Sequence, residues 1–490
     1  MKRKLSVIAA AVMVFSGLAF AQESADGPVG ATAPPTVMKI TPDEAVDLAI
    51  KNNLSLQSTA VDLDTKKRQS DLRWNQFIPS FDARVTLGRQ NQGSTVSGNT
   101  PVIQAPLNTA LGLPAGSPPV YGVTPYSMDV DPQWFFQTNF AIAWQFSFAL
   151  FEGIRNLRLN YETGLISYEK AKLQTERDIR KAYYQMLLAQ ENLKLTRESY
   201  ETAERQETSA RAAYRAGLAP ELQLLQAQVS KENKKPELDE QENQVKMLKA
   251  QFAYTLGLPT NTDFELIQPR VDSIDAVPLD TRQLIADAVE KKPDIKELKA
   301  QIVYAKSGRK AQDLRQNTPY IALSWNFAPN VVDPWTPGNW GDWFKKDGGS
   351  FSLTVGMNLN GLVPLFKEGQ ALKDLDNQIK IAEIGLEQMK QGTEIEVYNI
   401  ILSLQKAQTS IEALKKTVEL AQRSYDSTYR AYGAGLQTFV EVKNAEDALN
   451  QAKLGVLSQN YTYIMGLIDL EYAVGVSLGT LSRSETGNED

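Results

Sequence analysis

The chain has 490 residues, 42% of them hydrophobic, and 52 Lys and Arg against 58 Asp and Glu, a formal net charge of −6. It contains no histidine and no cysteine, so catalytic triads, thiol nucleophiles and the usual zinc ligand sets cannot be assembled. The acidic balance argues against a nucleic-acid partner, whose phosphates require a basic surface.

At the N-terminus Lys2, Arg3 and Lys4 precede an apolar run from Leu5 to Phe20 that ends in Ala19-Phe20-Ala21. This order predicts a cleavable secretory signal over 1–21, with Gln22 as the first mature residue. The run is shorter than the roughly 20 apolar residues of a membrane-spanning helix. No cysteine follows the cleavage site, which removes a lipoprotein anchor. No later stretch is apolar enough to cross a bilayer as a helix, so any membrane span must be built from strands.

A helix is expected at about 42–76, followed by a strand at about 79–90 in which Phe81, Ala83, Val85 and Leu87 alternate with Asp82, Arg84 and Thr86. A loop rich in Pro, Gly, Asn and Thr runs from Asn91 to Pro132. The second strand, about 134–149, alternates Phe140, Ile142, Trp144, Phe146 and Phe148 with Asn139, Ala141, Ala143, Gln145 and Ser147. A long helix follows at about 155–216, marked by the stripe Ile179, Tyr183, Met186, Leu193 and Tyr200. It turns into another at about 220–257, which Pro236 is expected to interrupt or kink. At about 1.5 Å per residue, some 62 residues form a rod of roughly 93 Å, far longer than a bilayer is thick.

After an inter-repeat segment at 258–279 the same order returns. A helix is expected at about 280–316, with strands at about 319–328 and 350–360. The first strand alternates Ile321, Leu323, Trp325 and Phe327 with small or polar residues, and the second Phe351, Leu353, Val355, Met357 and Leu359. Helices at about 370–434 and 438–474 and a tail at 476–490 complete the chain.

This order is a duplication. Ala213, Tyr214, Ala216, Gly217 and Leu218 reappear 218 positions later as Ala431, Tyr432, Ala434, Gly435 and Leu436, and Ala227, Tyr254 and Gly257 reappear as Ala445, Tyr472 and Gly475. Upstream, Pro79 matches Pro319 at a displacement of 240. The extra residues of the first half fall in its longer loop, where insertions are tolerated. The units thus run 22–257 and 280–475.

One apolar and one polar face per strand suits lipid on one side and water on the other. A soluble sandwich is the competing reading, but it uses about seven strands and this chain offers four. Four strands do not close a barrel, since the smallest have about 8. Two copies would give about eight strands with a side-chain-filled interior, and three about twelve with room for water.

The opening Ile40-Thr41-Pro42-Asp43-Glu44-Ala45-Val46-Asp47-Leu48-Ala49-Ile50-Lys51-Asn52-Asn53, the two Tyr-x-Ala-Gly-Leu turns, the duplication and the strand pair per half resemble the TolC-like outer-membrane efflux family over essentially the whole mature length. The resemblance implies a mainly α fold with a membrane β-barrel. Three copies of the duplicated helix-strand-strand-helix unit would make a 12-stranded β-barrel on a long periplasmic α-helical barrel. An equatorial collar would come from the inter-repeat segment and the C-terminal tail. The implied function is a passive exit duct of tripartite efflux or type I secretion, in the outer membrane with a periplasmic extension. It would be fed by a periplasmic adaptor and an inner-membrane transporter, with no cofactor.

In the family the turns Ala216-Gly217-Leu218 and Ala434-Gly435-Leu436 would meet the adaptor. Acidic residues past the second turn would form a gate. Glu441 holds the first such position, Asn444 departs from the second, Gln437 replaces a basic latch residue, and Tyr432 is retained. The first-half counterparts Gln223 and Gln226 are uncharged. Read from residues alone, the glycines need only cap helices and Glu441 need only be a solvated surface residue. Trp134, Trp144 and Trp325, with Trp335, Trp340 and Trp343, suit an interfacial aromatic belt. Two other classes share some features. A periplasmic coiled-coil adaptor or scaffold would have the long helices without a pore, and an envelope hydrolase would use acidic pairs. Here the carboxylates lie on helices interleaved with Lys and Arg, the pattern of solvated faces.

Overall fold

The computed structural model describes residues 38–90, 95–101, 123–129, 133–267, 280–341, 343–345, 348–359 and 366–479. The expected signal segment 1–21, the inter-repeat stretch beyond residue 267 and the tail beyond residue 479 lie outside the described residues. The first half contains β1 (Met38–Ile40), α1 (Pro42–Asn52), α2 (Leu54–Asp71), a 3-10 turn (Arg73–Phe77), β2 (Ser80–Gln90), β3 (Thr95–Pro101), β4 (Val123–Asp129), β5 (Gln133–Ser147), α3 (Ala149–Arg215) and α4 (Glu221–Thr255). The second contains β6 (Phe264–Leu266), α5 (Thr281–Lys291), α6 (Pro293–Asn317), β7 (Tyr320–Phe327), β8 (Asn330–Val332), 3-10 turns at Pro337–Trp340 and Trp343–Lys345, β9 (Ser350–Gly356), α7 (Lys367–Gly433) and α8 (Phe439–Val474).

The duplication is visible as geometry. α3 and α7 each have 67 residues, which at 1.5 Å per residue gives rods of about 100 Å, and α1 and α5 each have 11. Gly217 and Gly435 share a φ of 75°, and Gly257 and Gly475 share a φ of 71°. All four close their helices with a pair of backbone bonds to the last turn, the arrangement in which only glycine enters the left-handed region without strain.

Several expected boundaries move. The helix expected over 42–76 is broken at Asn53, whose extended backbone ends α1 while its side-chain oxygen accepts from Ser55 N at 3.0 Å and Leu56 N at 3.1 Å to start α2. The helix expected over 280–316 breaks at Lys292, because Pro293 drives the residue before it out of the helical region. Pro236 sits inside α4 without ending it. α3 begins directly after β5, at Ala149, and α7 begins at Lys367. The long loop of the first half contains β3 and β4 as an antiparallel hairpin of its own, and the shorter loop contains β8, which extends the pairing of β5 beyond β7.

The sheet that matters for function has the order β2-β5-β7-β9, all antiparallel. Midway along the rods lies the main core. There α1, α3, α4 and α8 bury Ala45, Ile179, Tyr183, Met186, Phe252 and Ile468 around the short parallel pair of β1 and β6. Each large side chain so buried contributes about 1.5–3 kcal/mol. The Tyr183 hydroxyl lies 2.9 Å from the Ile40 carbonyl and 2.6 Å from that of Ile267, tying the beginning of the chain to the inter-repeat segment. Ion pairs join the halves at the same level. Lys170 stands 2.7 Å from Asp294 and 2.8 Å from Glu297, and Lys181 stands 2.7 Å from Asp469.

Candidate export path: sheet faces, aromatic belts and helical tips

Pairing register turns the alternation of single strands into two continuous faces. Phe81 lies opposite Ile142, Ile142 opposite Trp325, and Trp325 opposite Phe351. The next apolar rows are Trp144, Leu323 and Leu353, then Phe146, Ile321 and Val355. Alternating with the apolar rows run small and polar ones: Asp82, Ala141, Asn326 and Ser350 on one side of the Ile142 row, and Ser80, Ala143, Ser324 and Ser352 on the other. Ser324 and Ser352 share a hydrogen bond of 2.7 Å across the polar face. On the other face Phe81, Val85, Leu353 and Val355 stand between 64% and 72% exposed, so a large apolar surface has no cover among the described residues. Among the described residues β2 and β9 are each paired on one side only. No helix of the described residues is long and apolar enough to cross a membrane.

Aromatic rings collect at both ends of this sheet. Where it meets the helices, Trp74 and Phe77 stack at 5.7 Å, Phe151 packs 5.8 Å from Phe77 and 6.0 Å from Phe146, and Trp144 donates its indole N–H to the Phe77 carbonyl at 2.9 Å. At the loop end Trp134 meets Trp335 at 6.1 Å, Phe136 meets Trp340 at 5.1 Å, and Trp343 meets Phe344 at 4.3 Å. Trp134 and Trp144 therefore belong to opposite belts, while Trp325 sits in a row between them. Of the rings beside the helices, only Trp144 was expected in a belt from the sequence. The signal for the others was the clustering of Trp74, Phe77, Phe146, Phe148 and Phe151 on either side of strand boundaries.

At the far end of the rods both turns project freely. Leu218 is 83% exposed and Leu436 79%, and nothing lies within 4 Å of a side chain built on Gly217 or Gly435. Ala216 and Ala434 are exposed as well. Just behind the turns, Ala210, Ala227 and Phe439 form a small core, with Tyr432 packed 6.3 Å from Phe439. The Tyr432 hydroxyl accepts a hydrogen bond from the Gln223 amide, so the uncharged first-half counterpart does reach the retained tyrosine. A polar groove of about 800 Å³ separates the two helical pairs here, lined in part by Gln206, Gln223, Tyr425 and Tyr432.

Glu441 is exposed and closes the start of its own helix. Its Oε2 accepts from Thr438 N at 2.7 Å and from Thr438 Oγ1 at 2.9 Å, while its own N–H donates to Thr438 Oγ1 at 3.3 Å. These bonds, the backbone one foremost, hold its carboxyl below the ordinary glutamate range. Gln437 belongs to the same cluster and donates its amide to Glu441. Asn444 is exposed, and the structure does not bring it to Glu441 through any hydrogen bond among the described residues. Nor do any three acidic side chains of the described residues converge as a metal site would require.

A two-faced sheet with an uncovered apolar side, aromatic belts at both ends and rods of about 100 Å define an outer-membrane channel protein with a periplasmic extension. Residues 45–257 and 284–476 match the family described as outer membrane efflux protein, and the chain belongs to that family. The chain is 28% identical to the outer membrane protein TolC of Salmonella enteritidis over 136 residues, 26% of each protein. Against the probable efflux pump outer membrane protein TtgC of Pseudomonas putida it is 21% identical over 443 residues, spanning 88% of this chain and 82% of that one. The fold is shared with the outer membrane channel CmeC of Campylobacter jejuni, with a TM-score of 0.66 at 15% identity over 89% of this chain and 85% of that one. It is also shared with the open state of the MtrE channel of Neisseria gonorrhoeae, with a TM-score of 0.62 at 16% identity over 89% of each.

Proposed function

We propose that three copies of the chain pool their sheets into one barrel of about twelve strands and their helices into one periplasmic tube, forming a passive exit duct for export across the outer membrane. The observation that carries this reading is the register of β2, β5, β7 and β9. It lines up Phe81, Ile142, Trp325, Phe351 and the apolar rows that follow on one face, and among the described residues leaves both edge strands open for a neighbouring copy. An open edge beside an uncovered apolar face is a liability in water. Closure in lipid satisfies both the edge and the face.

Duct function needs no catalytic group, only a continuous water-filled path, and the polar rows of the sheet provide its wall. Transport energy then comes from an inner-membrane transporter, joined to the duct by a periplasmic adaptor. The exposed turns at Gly217 and Gly435 are the surfaces this adaptor meets, and three copies of Glu441 at the narrowed tip attract cations. TtgC carries the words efflux pump in its name, and this chain spans most of that protein's length, which supports the same system for it. The test is single-channel conductance of purified protein in a planar bilayer together with its mass in detergent. A lone subunit that carries no current would overturn the reading.

A further inference from the structure

Charge is nearly absent from the membrane sheet. Among the described residues of β2, β5, β7, β8 and β9, the charged side chains are Asp82, Arg84 and Arg89, all on β2. Register sorts the three by face. Arg89 lies opposite Trp134 in the apolar set, with its guanidinium 6.0 Å from the centre of that ring. Asp82 and Arg84 belong to the polar rows, opposite Ala141 and Asn139. Both are exposed, and among the described residues neither side chain makes an ion pair or a hydrogen bond. Around them the polar rows hold Ser, Thr, Ala, Asn and Gln, which supply dipoles but no competing charge.

We propose that Arg84, repeated in three copies, forms a guanidinium ring inside the outer-membrane barrel that favours cargo bearing carboxylate or phosphate groups, and so determines specificity at the outer end of the duct. This rests on the duct reading above. A guanidinium stays charged throughout the physiological range and offers five N–H donors in a planar fork that fits a carboxylate or a phosphate. Those donors are unspent among the described residues, so they are available to a passing anion. β2 runs from the helices toward the loops, which places Arg84 two residues, about 7 Å, outward of Asp82. That spacing is close to the Debye length of about 8 Å at physiological salt, so the Asp82 carboxylates offset the ring only in part. The arginine side chain is also the longer of the two and carries its charge farther from the wall.

The test is the zero-current reversal potential of purified channels in planar bilayers under a potassium chloride gradient, for wild type, Arg84→Gln, Asp82→Asn and Arg89→Gln. Arg84→Gln should lower the anion-to-cation permeability ratio about threefold, and Asp82→Asn should raise it. Arg89→Gln makes the same charge change on the apolar face of the same strand and should leave the ratio as it is in the wild type. Inorganic triphosphate added on the loop side should reduce the wild-type current, and Arg84→Gln should need about tenfold more of it for the same reduction. An unchanged ratio in Arg84→Gln, or an equal shift in Arg89→Gln, overturns the ring, and so does a wild-type current insensitive to triphosphate. A wild-type protein that carries no current at all overturns the duct reading itself.

Discussion

A side chain on Gly257 would place its first carbon 2.4 Å from the carbonyl oxygen of Asn52, the last residue of α1, and one on Gly475 would lie 2.8 Å from the carbonyl of Lys291, the last residue of α5. Both glycines turn the chain at a φ of 71° with another helix end pressed against them. The tip glycines use nearly the same φ in open space. Gly217→Ala should therefore cost only the left-handed backbone penalty of about 1–2 kcal/mol. Gly257→Ala adds a clash with backbone, worth about 1–3 kcal/mol more. Thermal unfolding of the two variants followed by circular dichroism measures the difference. Equal losses would mean that the helix ends shift apart freely.

The faces of the sheet make a sharper contrast. Leu353 is 64% exposed on the apolar face, and Ser352, its neighbour in β9, lies on the polar one. Leu353→Arg should impair assembly in the outer membrane, because a charge on the lipid side near mid-bilayer costs about 2–4 kcal/mol in each copy. Ser352→Asp should assemble normally and alter only conductance. Fractionation of the envelope followed by native electrophoresis separates these outcomes. Tolerance of Leu353→Arg would place that face in water.

Which parts of this could be read beforehand follows from the range of the interactions. Alternation in β2, β5, β7 and β9 is a local pattern and the 218-position repeat a direct match of residue with residue, and the two located the sheet and the long rods. The parallel pairing of Met38–Ile40 with Phe264–Leu266 was invisible, because three-residue strands carry no period and their partners lie over 200 positions apart. Asn53 looked like one more helical residue until its side chain was found capping α2. At the tip, Glu441 was legible as a charge past a turn. The burial of Glu446 on α8 was not, since Gln206 of α3 and Lys234 of α4, which contact it, lie on other helices.

Export should depend on the tip leucines without folding depending on them. Leu218 and Leu436 are almost fully solvated, so changing both to Ser removes no packing and should leave the thermal midpoint unchanged. If the turns meet an adaptor, the double variant should lose most drug or cargo export in cells while retaining wild-type conductance in bilayers. Full export by the double variant would move adaptor contact away from the turns.

Glu441 carries two separable roles, closing a helix and presenting charge. Glu441→Gln keeps side-chain length and an oxygen for the Thr438 bonds while deleting the charge, whereas Thr438→Val deletes the two hydroxyl bonds, leaves the backbone one and keeps the charge. If three copies of Glu441 form a cation site, block of the pore by divalent cations should weaken severalfold in Glu441→Gln and persist in Thr438→Val. The pH dependence has a definite sign. Thr438 holds the Glu441 carboxyl below its ordinary range, so its contribution to the helix start is complete above the ordinary glutamate value and fades only as the pH falls through the lowered one. Cation block in the wild type should survive acidification accordingly, and in Thr438→Val it should disappear at a higher pH. Current recordings at graded divalent concentration and pH measure both shifts, and identical block in wild type and Glu441→Gln would leave Glu441 as a helix cap alone.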